Sequence, residues 1–300
     1  MQQKEEKPDF VKWFPELNKN SIKYAGGKGA NLAEIYNLKI PVPPGFVVTA
    51  QAYDYFIKKA GIKKEIQELL STIDYEDTIQ LDETTKKIRK LILESPFPTE
   101  IQEEILDAYE TLDAKSFNFE RGSALDILNK TPEPMFVAVR SSATAEDLAD
   151  ASFAGQQDSF INVKGNASLI NNIKKCFASL FTSRATYYRN KKGFKHEDVS
   201  LAVIIEKMVD SDKSGVIFSK DPSTNENHII IEAGWGLGEG IVSGKITPDR
   251  YIISKELEIL DKKISNKKIA IIRDSSGERA IVKLREEKAK QQVLKDYEIK

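Results

Sequence analysis

Apolar residues repeat at helical spacing through much of the first half of the chain. From Ala50 to about Lys130 they recur every three or four residues, which is the period of an amphipathic helix. The repeats comprise Tyr53, Phe56 and Ile57, then Ile66, Leu69 and Leu70, then Ile88, Leu91 and Ile92. The pattern predicts a helix-rich region, and the Gly-, Ser- and Pro-containing stretch 117–134 predicts a loop-rich excursion at its end.

Two short β-prone runs, Met135 to Val139 and Phe160 to Val163, follow this region. After the second run the helical period returns and continues to Tyr188, which predicts one long amphipathic helix. Its apolar stripe consists of Leu169, Ile170, Ile173, Phe177, Leu180, Phe181 and Tyr188.

The pattern changes after Gly193, where short β-branched runs are separated by turn residues. These runs are 201–205, 216–219, 229–231, 251–253 and 269–272, and a charged helical pattern covers Leu284 to Tyr297. The sequence therefore predicts an α/β (α+β) protein with a helix-rich lobe, residues 1–193, and a sheet-rich lobe, residues 194–300.

Composition narrows the class of protein. Among 300 residues, 45 Lys and Arg nearly cancel 46 Asp and Glu, so no bulk field favours nucleic acid or an anionic membrane. The single cysteine, Cys176, cannot form an internal disulfide, and its place on the apolar stripe predicts a buried inert thiol. Because the start is charged and no stretch approaches about 18 apolar residues, we expect a cytoplasmic protein without a membrane span.

The segment Ala25 to Leu32 contains three glycines around Lys28 and opens a helix. Glycines let backbone N–H groups approach a ligand, and a helix N-terminus favours an anion. Because a cation in the first turn opposes the helix dipole, Lys28 is most easily explained by a bound anion. The alternative is a glycine turn with a solvated lysine, and the spacing does not match a P-loop.

A second cationic segment, Val137 to Thr144, places Arg140 and three hydroxyls at the predicted end of a buried strand. The planar guanidinium matches two phosphate oxygens, although an ion pair with Glu146 or Asp147 is the structural alternative. The next segment, Ala151 to Ser159, is rich in small residues and contains Gly155. It could close over a polyphosphate or form an ordinary hairpin.

Two later segments carry weaker signals. Ile204 to Val209 ends a predicted strand in an apolar edge, with Glu206 and Met208, that could face a purine, and the following turn predicts a hairpin with the Val216 strand. Glu232 to Gly240 fails the dinucleotide spacing, yet its glycine loop could approach ribose or phosphate.

The two histidines, His196 and His228, have no Cys or acidic partner at metal spacing. We therefore expect both to lie at the surface and expect no metal ligands in this chain.

Taken in order, these segments resemble the nucleotide-binding domain shared by phosphoenolpyruvate synthase (pyruvate, water dikinase), pyruvate phosphate dikinase and rifampicin phosphotransferase. They are most similar to the phosphoenolpyruvate synthase family. The resemblance covers nearly the whole chain. The matching segments are Trp13-Phe14 with Glu16-Leu17, 26–32, 41–49, 139–147, 153–157, 207–212, 214–216, Asp221-Pro222 and 235–249.

The resemblance implies an ATP-grasp-like fold and an ATP-dependent phosphotransferase that uses Mg²⁺. It implies that Lys28 and Arg140 contact the ATP phosphates and that Gly155 and Ser159 belong to a loop covering them. It also implies that Glu206 and the edge at Met208 and Val209 face the nucleoside. Gly236 and Gly238, in the glycine loop that could approach ribose or phosphate, complete the candidate residues. The family commonly has glutamine where this chain has Glu206, and an ionised carboxylate can only accept hydrogen bonds.

The resemblance also implies an incomplete enzyme. The family's metal-binding glutamate and its later Gln-Arg pair would follow a helix like Leu284 to Tyr297, and the phosphohistidine and pyruvate-binding domains would follow those. We therefore expect the isolated chain to bind ATP without completing phosphorylation of pyruvate, and to dimerise or aggregate through an open sheet edge. The alternatives are the nucleotide-binding domain of a rifampicin-type phosphotransferase or of a pyruvate phosphate dikinase, and a non-catalytic nucleotide-binding protein.

Overall fold

The computed structural model describes residues 8–117, 135–145, 147–148, 151–152, 158–274 and 277–300. It is a mixed helix and sheet protein, as the sequence predicts. The helices are α1 Ile22–Asn37, α2 Ala50–Lys59, α3 Lys63–Ser71, α4 Thr78–Glu94, α5 Thr99–Phe117, α6 Asn166–Ser179, α7 Ser183–Lys191, α8 Glu239–Val242, α9 Glu286–Lys290 and α10 Asp296–Ile299. The strands are β1 Val11–Trp13, β2 Gly45–Val48, β3 Val137–Ala143, β4 Asp147–Leu148, β5 Ala151–Ser152, β6 Ser159–Val163, β7 Leu201–Lys207, β8 Lys213–Phe218, β9 Ile229–Trp235, β10 Asp249–Ile253, β11 Ile259–Lys263, β12 Ile269–Arg273 and β13 Arg279–Lys283.

The chain forms two compact units, Met1–Met208 and Val209–Lys300. The first is built on a five-stranded sheet in the order β1-β2-β7-β3-β6, and all of its strand pairs are antiparallel. The central strand β7 is buried from Leu201 to Glu206 because helices cover both faces of the sheet. One face, including Val203 and Ile205, joins the large core under α2, α4 and α6. Ala202 and Ile204 on the other face pack against α1.

The unit boundary differs from the predicted lobe boundary at residue 193. The reason is β7, which pairs with β2 and β3 inside the first sheet instead of opening a second lobe. The predicted hairpin through the 210–215 turn is also wrong, because β8 pairs with β9. The residue types at 210–215 predict a turn, but they do not determine which strand pairs with β8.

The predicted long helix is two helices. α6 ends at Ser179 and α7 begins at Ser183, where the Thr182 side chain caps the new helix by accepting from the Ala185 N–H at 3.2 Å. Leu180 and Phe181 are buried across the break, so the apolar period continues although the helix does not. The predicted helix over 284–297 is likewise interrupted, and only the short α9 and the start of α10 fall in this range.

The second unit contains a four-stranded antiparallel sheet, β11-β10-β9-β8, and a separate hairpin of β12 and β13. Its core joins Ile231 and Tyr251 of the sheet to Val293 and Ile299 of the C-terminal segment. A buried carboxylate anchors that segment, since Asp249 accepts the Val293 N–H at 2.9 Å. The helix that precedes this contact ends at its C-cap, Gln291, whose backbone is extended with ψ of 138°.

His196 is more buried than the sequence predicts, so the expectation of a surface residue is wrong. Its Nδ1 accepts from Arg189 Nε at 3.1 Å, and its Nε2 lies 2.7 Å from the Tyr75 hydroxyl. Because Nδ1 is an acceptor, the neutral ring carries its proton on Nε2. Burial, with the adjacent Arg189 charge, lowers the pKa of His196 to about 4. His228 is partly exposed and lies 3.4 Å from Glu226.

We predict that His196 makes the protein less stable in acid. The unfolded ring binds a proton near its ordinary pKa of about 6.5, whereas the folded ring resists protonation. Stability is therefore full above pH 6.5 and falls as the pH drops towards 4, by roughly 2 kcal/mol allowing for partial exposure of the ring. Urea unfolding across this range should show a shallower decline for His196→Gln than for His228→Gln. Equal slopes in the two variants would contradict the prediction.

Candidate functional site

The start of α1 lies directly against β3, and Gly26 makes this approach possible. Gly26 has φ of 66°, in the left-handed region, and interrupts the helix so that a new turn begins after it. A Cβ at Gly26 would lie 2.2 Å from the Ser142 carbonyl oxygen. The Gly29 N–H then donates to Ser142 Oγ at 3.0 Å. Small residues on this face of α1 thus hold the glycine segment on the strand that carries Arg140.

Replacing Gly26 with alanine should therefore destabilise the first unit by about 2–4 kcal/mol, because left-handed strain and steric overlap add together. Gly61→Ala is the matched control. Gly61 has φ of 70° and open space around its missing Cβ, so its substitution should cost only about 1 kcal/mol of strain. Urea unfolding of both variants measures the difference, and similar losses would show that the contact with Ser142 is unimportant.

Lys28 folds back onto the same strand. Its Nζ donates to the Ser141 carbonyl oxygen at 3.2 Å, so the ammonium group is held beside the residue that follows Arg140. Lys28 is therefore not the purely solvated lysine of the alternative interpretation. Its ammonium group contacts β3 at Ser141, next to Arg140, the other cation predicted for phosphate recognition.

Arg140 lies in the middle of β3 and not at its end as predicted, because Ser141, Ser142 and Ala143 continue the strand. Its Nη1 donates to Glu206 Oε2 at 3.1 Å, an ion pair that the sequence did not indicate. The side chain of Arg140 is 41% exposed while that of Glu206 is 11% exposed. The guanidinium is thus oriented by a buried carboxylate and keeps access to solvent. The predicted alternative partners, Glu146 and the Asp147 side chain, lie outside the described residues.

Glu206, the partner of Arg140, is a buried carboxylate on β7 in the sheet of the first unit. Burial raises its pKa above the ordinary value, while the Arg140 charge and hydrogen bond oppose that rise. Antiparallel pairing explains the contact, since Glu206 lies opposite Ala138 and Arg140 opposite Ile204. Residues two positions apart on paired strands share one face, so their long side chains meet diagonally. Sequence analysis could not find this pair without the register.

The backbone edge at Met208 is less available than the sequence suggests. The Met208 N–H donates to the Phe136 carbonyl oxygen at 3.0 Å, and the Lys207 N–H donates to the Pro44 carbonyl oxygen at 3.0 Å. Val209 is 56% exposed and belongs to the second unit. The N–H groups of Lys207 and Met208 therefore cannot pair with a purine without breaking an existing hydrogen bond.

The remaining predicted residues separate into three cases. Ser159 is exposed and lies opposite Arg140 in the β3–β6 pair. Gly155 lies outside the described residues. Gly236 and Gly238 belong to the second unit, at the end of β9 and before α8.

Gly236 has a structural reason to be glycine. Its φ is 83°, and a Cβ there would lie 2.2 Å from the Ile271 carbonyl oxygen. The next residue, Leu237, donates its N–H to that oxygen at 2.7 Å. Gly236 thus lets the end of β9 lie against β12, and its contact with a nucleotide stays a prediction.

Two buried polar atoms without a described partner lie near Gly238, on Ser214 and Glu239. A Cβ at Gly238 would lie 3.8 Å from Cβ of Ser214, and Ser214 Oγ is buried without a hydrogen-bond partner in the described part of the chain. Glu239 pairs with Arg279 through Oε1, while its buried Oε2 has no partner among the described residues. No local sequence pattern marks these groups, because their surroundings form only in the folded chain.

Among the described residues, no group of three or more His, Cys, Asp or Glu side chains could hold a metal ion. Likewise, none of the helices in the described ranges is long and apolar enough to cross a membrane.

Comparison with known proteins identifies relatives over most of the chain. The family model described as the pyruvate phosphate dikinase AMP/ATP-binding domain matches residues 22–300. A probable phosphoenolpyruvate synthase of Methanocaldococcus jannaschii is 45% identical over 97% of this chain. A probable phosphoenolpyruvate synthase of Staphylothermus marinus is 48% identical over 88% of the chain, and the phosphoenolpyruvate synthase of Pyrococcus furiosus is 42% identical over 97%.

The matched region is a minor part of each relative. The alignments cover 24%, 31% and 39% of the three relatives in the same order. The likeness therefore concerns one domain of longer proteins.

Proposed function

This chain belongs to the pyruvate phosphate dikinase AMP/ATP-binding domain family, and on that premise we propose that it binds ATP with Lys28 and Arg140 at the phosphates. The observation that carries the proposal is the convergence of two cations on adjacent residues of β3. Lys28 donates to the carbonyl of Ser141, and Arg140 immediately precedes it. Such a pair can offset the charge of a polyphosphate.

We assign a distinct task to each group. Arg140, oriented by Glu206, offers the remaining donors of a planar fork to two phosphate oxygens, whereas Lys28 supplies a compact charge beside the glycine segment. In phosphoryl transfer such groups act by positioning and by stabilising developing negative charge. Ser159 lies opposite Arg140 at the start of β6, and its contribution to the segment that covers the phosphates stays a proposal.

Mg²⁺ would neutralise phosphate charge when bound. The described residues contain no group of three or more His, Cys, Asp or Glu side chains suited to a metal ion, and Glu206 is paired with Arg140. We therefore assign Mg²⁺ coordination to no residue of the described part of this chain.

For a longer protein that contains this domain, we propose an ATP-dependent phosphotransferase with an ATP-grasp-like nucleotide-binding domain. It would phosphorylate a carrier histidine and then pyruvate, giving phosphoenolpyruvate, AMP and phosphate. The names of the relatives and the partial coverage of their length support this proposal. The carrier and pyruvate-binding domains would be the partners of this chain.

A thermal melt with and without Mg-ATP, run alongside a phosphate-release assay, tests the function of the chain itself. We expect a small rise in melting temperature at millimolar ATP, because stabilisation by a weak ligand grows only with RT ln(1 + [L]/Kd). We expect almost no phosphate release. No shift at millimolar ATP would contradict ATP binding, while robust turnover would mean that the metal ligands lie within this chain, with Asp221, Glu232 and Glu239 the first to replace.

Glu206→Gln should be tolerated or should improve nucleotide affinity. The amide retains an acceptor for Arg140, removes a carboxylate with a raised pKa, and reduces negative charge near the polyphosphate. Calorimetry with a non-hydrolysable ATP analogue should give equal or tighter binding than wild type. A loss of affinity greater than about tenfold, equivalent to about 1.4 kcal/mol, would show that the carboxylate itself is needed.

A further inference from the structure

A separate cavity of about 620 Å³ lies in the first unit between α2, α3 and the 195–200 segment. Its volume falls within the range typical of small-molecule sites, roughly 300–1,000 Å³. The apolar part of its wall includes Tyr53, Ile57, Ile66, Phe181 and Val199, and polar and charged residues complete the lining. Each of these residues is between 3% and 7% exposed, and all five belong to the packed core of the first unit.

The cavity is on the side of the sheet away from the Lys28 site. Ile57, Phe181 and Val199 belong to the core that includes Val203 and Ile205. The intervening residues of β7 pack instead against α1. Because neighbouring strand residues point to opposite faces, a molecule in this cavity would not occupy the proposed ATP site.

Three lysines and two carboxylates are the exposed charged residues that line the cavity. Lys58, Lys63 and Lys195 line the cavity at exposed positions. Over the described ranges of the chain, none of their ammonium groups lies within 4.0 Å of a carboxylate oxygen. Each of the two lining carboxylates accepts a hydrogen bond from a neutral donor. Asp54 accepts from Ser200 Oγ at 2.7 Å, and Glu197 accepts from Gln67 Nε2 at 3.2 Å. The Lys63 charge acts on Asp54 from beyond 4.0 Å, where it opposes the rise in the Asp54 pKa that burial causes.

A fully buried arginine lies behind this wall. Arg189 donates to the Leu180 carbonyl oxygen at 2.5 Å, to Thr186 Oγ1 at 3.5 Å and to His196 Nδ1 at 3.1 Å. None of these acceptors carries a negative charge. Burial lowers the pKa of Arg189 to about 10, which leaves it charged at neutral pH. A buried charge without a counterion is costly, and an anion nearby would offset that cost.

The buried charge is close to the cavity. The lining residue His196 contacts Arg189 directly, and the ring of Phe181, another lining residue, lies 5.5 Å from the guanidinium carbon. The low local dielectric strengthens the attraction of Arg189 for an anion on the other side of these rings. With the three lysines, the charge around the cavity is more positive than its two carboxylates can balance.

We propose that this cavity binds a small organic anion with one carboxylate on an aromatic or branched aliphatic body. The apolar body packs on Ile57, Ile66 and Phe181, and the carboxylate faces the lysines at the opening. A neutral molecule would gain the apolar packing without the attraction to the lysines. A polyphosphate would gain the attraction to the lysines without the apolar packing. This inference is independent of ATP binding at Lys28 and Arg140.

The test uses 2-naphthoate as the probe, with its neutral amide, 2-naphthamide, as the matched ligand. Methyl NMR of isoleucine-labelled protein should show shifts at Ile57 and Ile66 and none at Ile204. We expect naphthoate to bind at least fivefold more tightly than the amide. Lys63→Gln should weaken naphthoate binding about threefold, as expected for a partly screened charge, whereas Lys64→Gln on the same helix should leave it unchanged.

Lys64 is a suitable control because its partner is Glu68, 3.6 Å away, and it does not line the cavity. Both lysines are exposed, so neither substitution should affect folding. Equal affinity for acid and amide, equal effects of the two lysine substitutions, or methyl shifts confined to other isoleucines would each overturn the proposal.

Discussion

Replacing Arg140 with alanine is expected to lower the affinity of the chain for ATP by roughly ten- to a hundredfold while leaving the fold intact. This range corresponds to losing a charged hydrogen bond of about 1.5–3 kcal/mol. The side chain is 41% exposed, so its removal creates no core cavity. Its loss also leaves Glu206 as a buried carboxylate without its cation, which adds repulsion towards phosphate. Calorimetry with a non-hydrolysable ATP analogue measures the effect.

Arg184→Ala is the matched control for Arg140→Ala. Arg184 is exposed on α7, among the helices of the opposite sheet face, so its substitution removes the same charge at a distance from Lys28. Its affinity for the analogue should equal that of wild type. A folded Arg140→Ala variant with wild-type affinity would show that Arg140 does not contact the phosphates.

Replacing Asp249 with asparagine should destabilise the second unit by about 3–5 kcal/mol, the cost of breaking a fully buried ion pair. Asp249 and Lys267 are both fully buried and form an ion pair. The carboxylate also accepts from the Ser265 N–H at 2.9 Å and from the Val293 N–H at 2.9 Å. The substitution therefore leaves a buried ammonium group without a counterion and weakens the anchor of the C-terminal segment.

Urea unfolding monitored by circular dichroism measures this loss. Asp261→Asn, at an exposed position of β11, removes the same charge without a buried partner and should change stability by less than about 0.5 kcal/mol. The double variant Asp249→Asn/Lys267→Met should regain part of the loss, since it also removes the stranded charge. A single variant as stable as the control would contradict the assigned role of the pair.

Sequence patterns predicted the elements better than their partners. The apolar runs at 201–205 and 229–231 correspond to β7 and β9, because burial on one or both faces leaves a local signature. Which sheet a strand joins depends on residues far along the chain, so β7 was assigned to the wrong side of the observed unit boundary. The break at Thr182 was invisible because a capping threonine does not disturb the apolar period.

The candidate site also combines features with and without a local sequence signal. The glycine segment around Lys28 and the segment around Arg140 can be found from local sequence, and the resemblance to the nucleotide-binding family makes them candidates for phosphate contact. The Arg140–Glu206 pair required the strand register, since the two residues are 66 positions apart. The environment of His196 depends on Tyr75, 121 positions away, and no local pattern reveals a contact at that distance.

Hydrogen–deuterium exchange of the chain with and without Mg-ATP tests the central claim most directly, because it locates the binding site on the backbone. Nucleotide at Lys28 and Arg140 should slow exchange in peptides covering residues 22–31 and 136–145, and Arg140→Ala should abolish that protection at the same ATP concentration. Unchanged exchange in both segments at an ATP concentration that raises the melting temperature would place the nucleotide elsewhere and contradict the account.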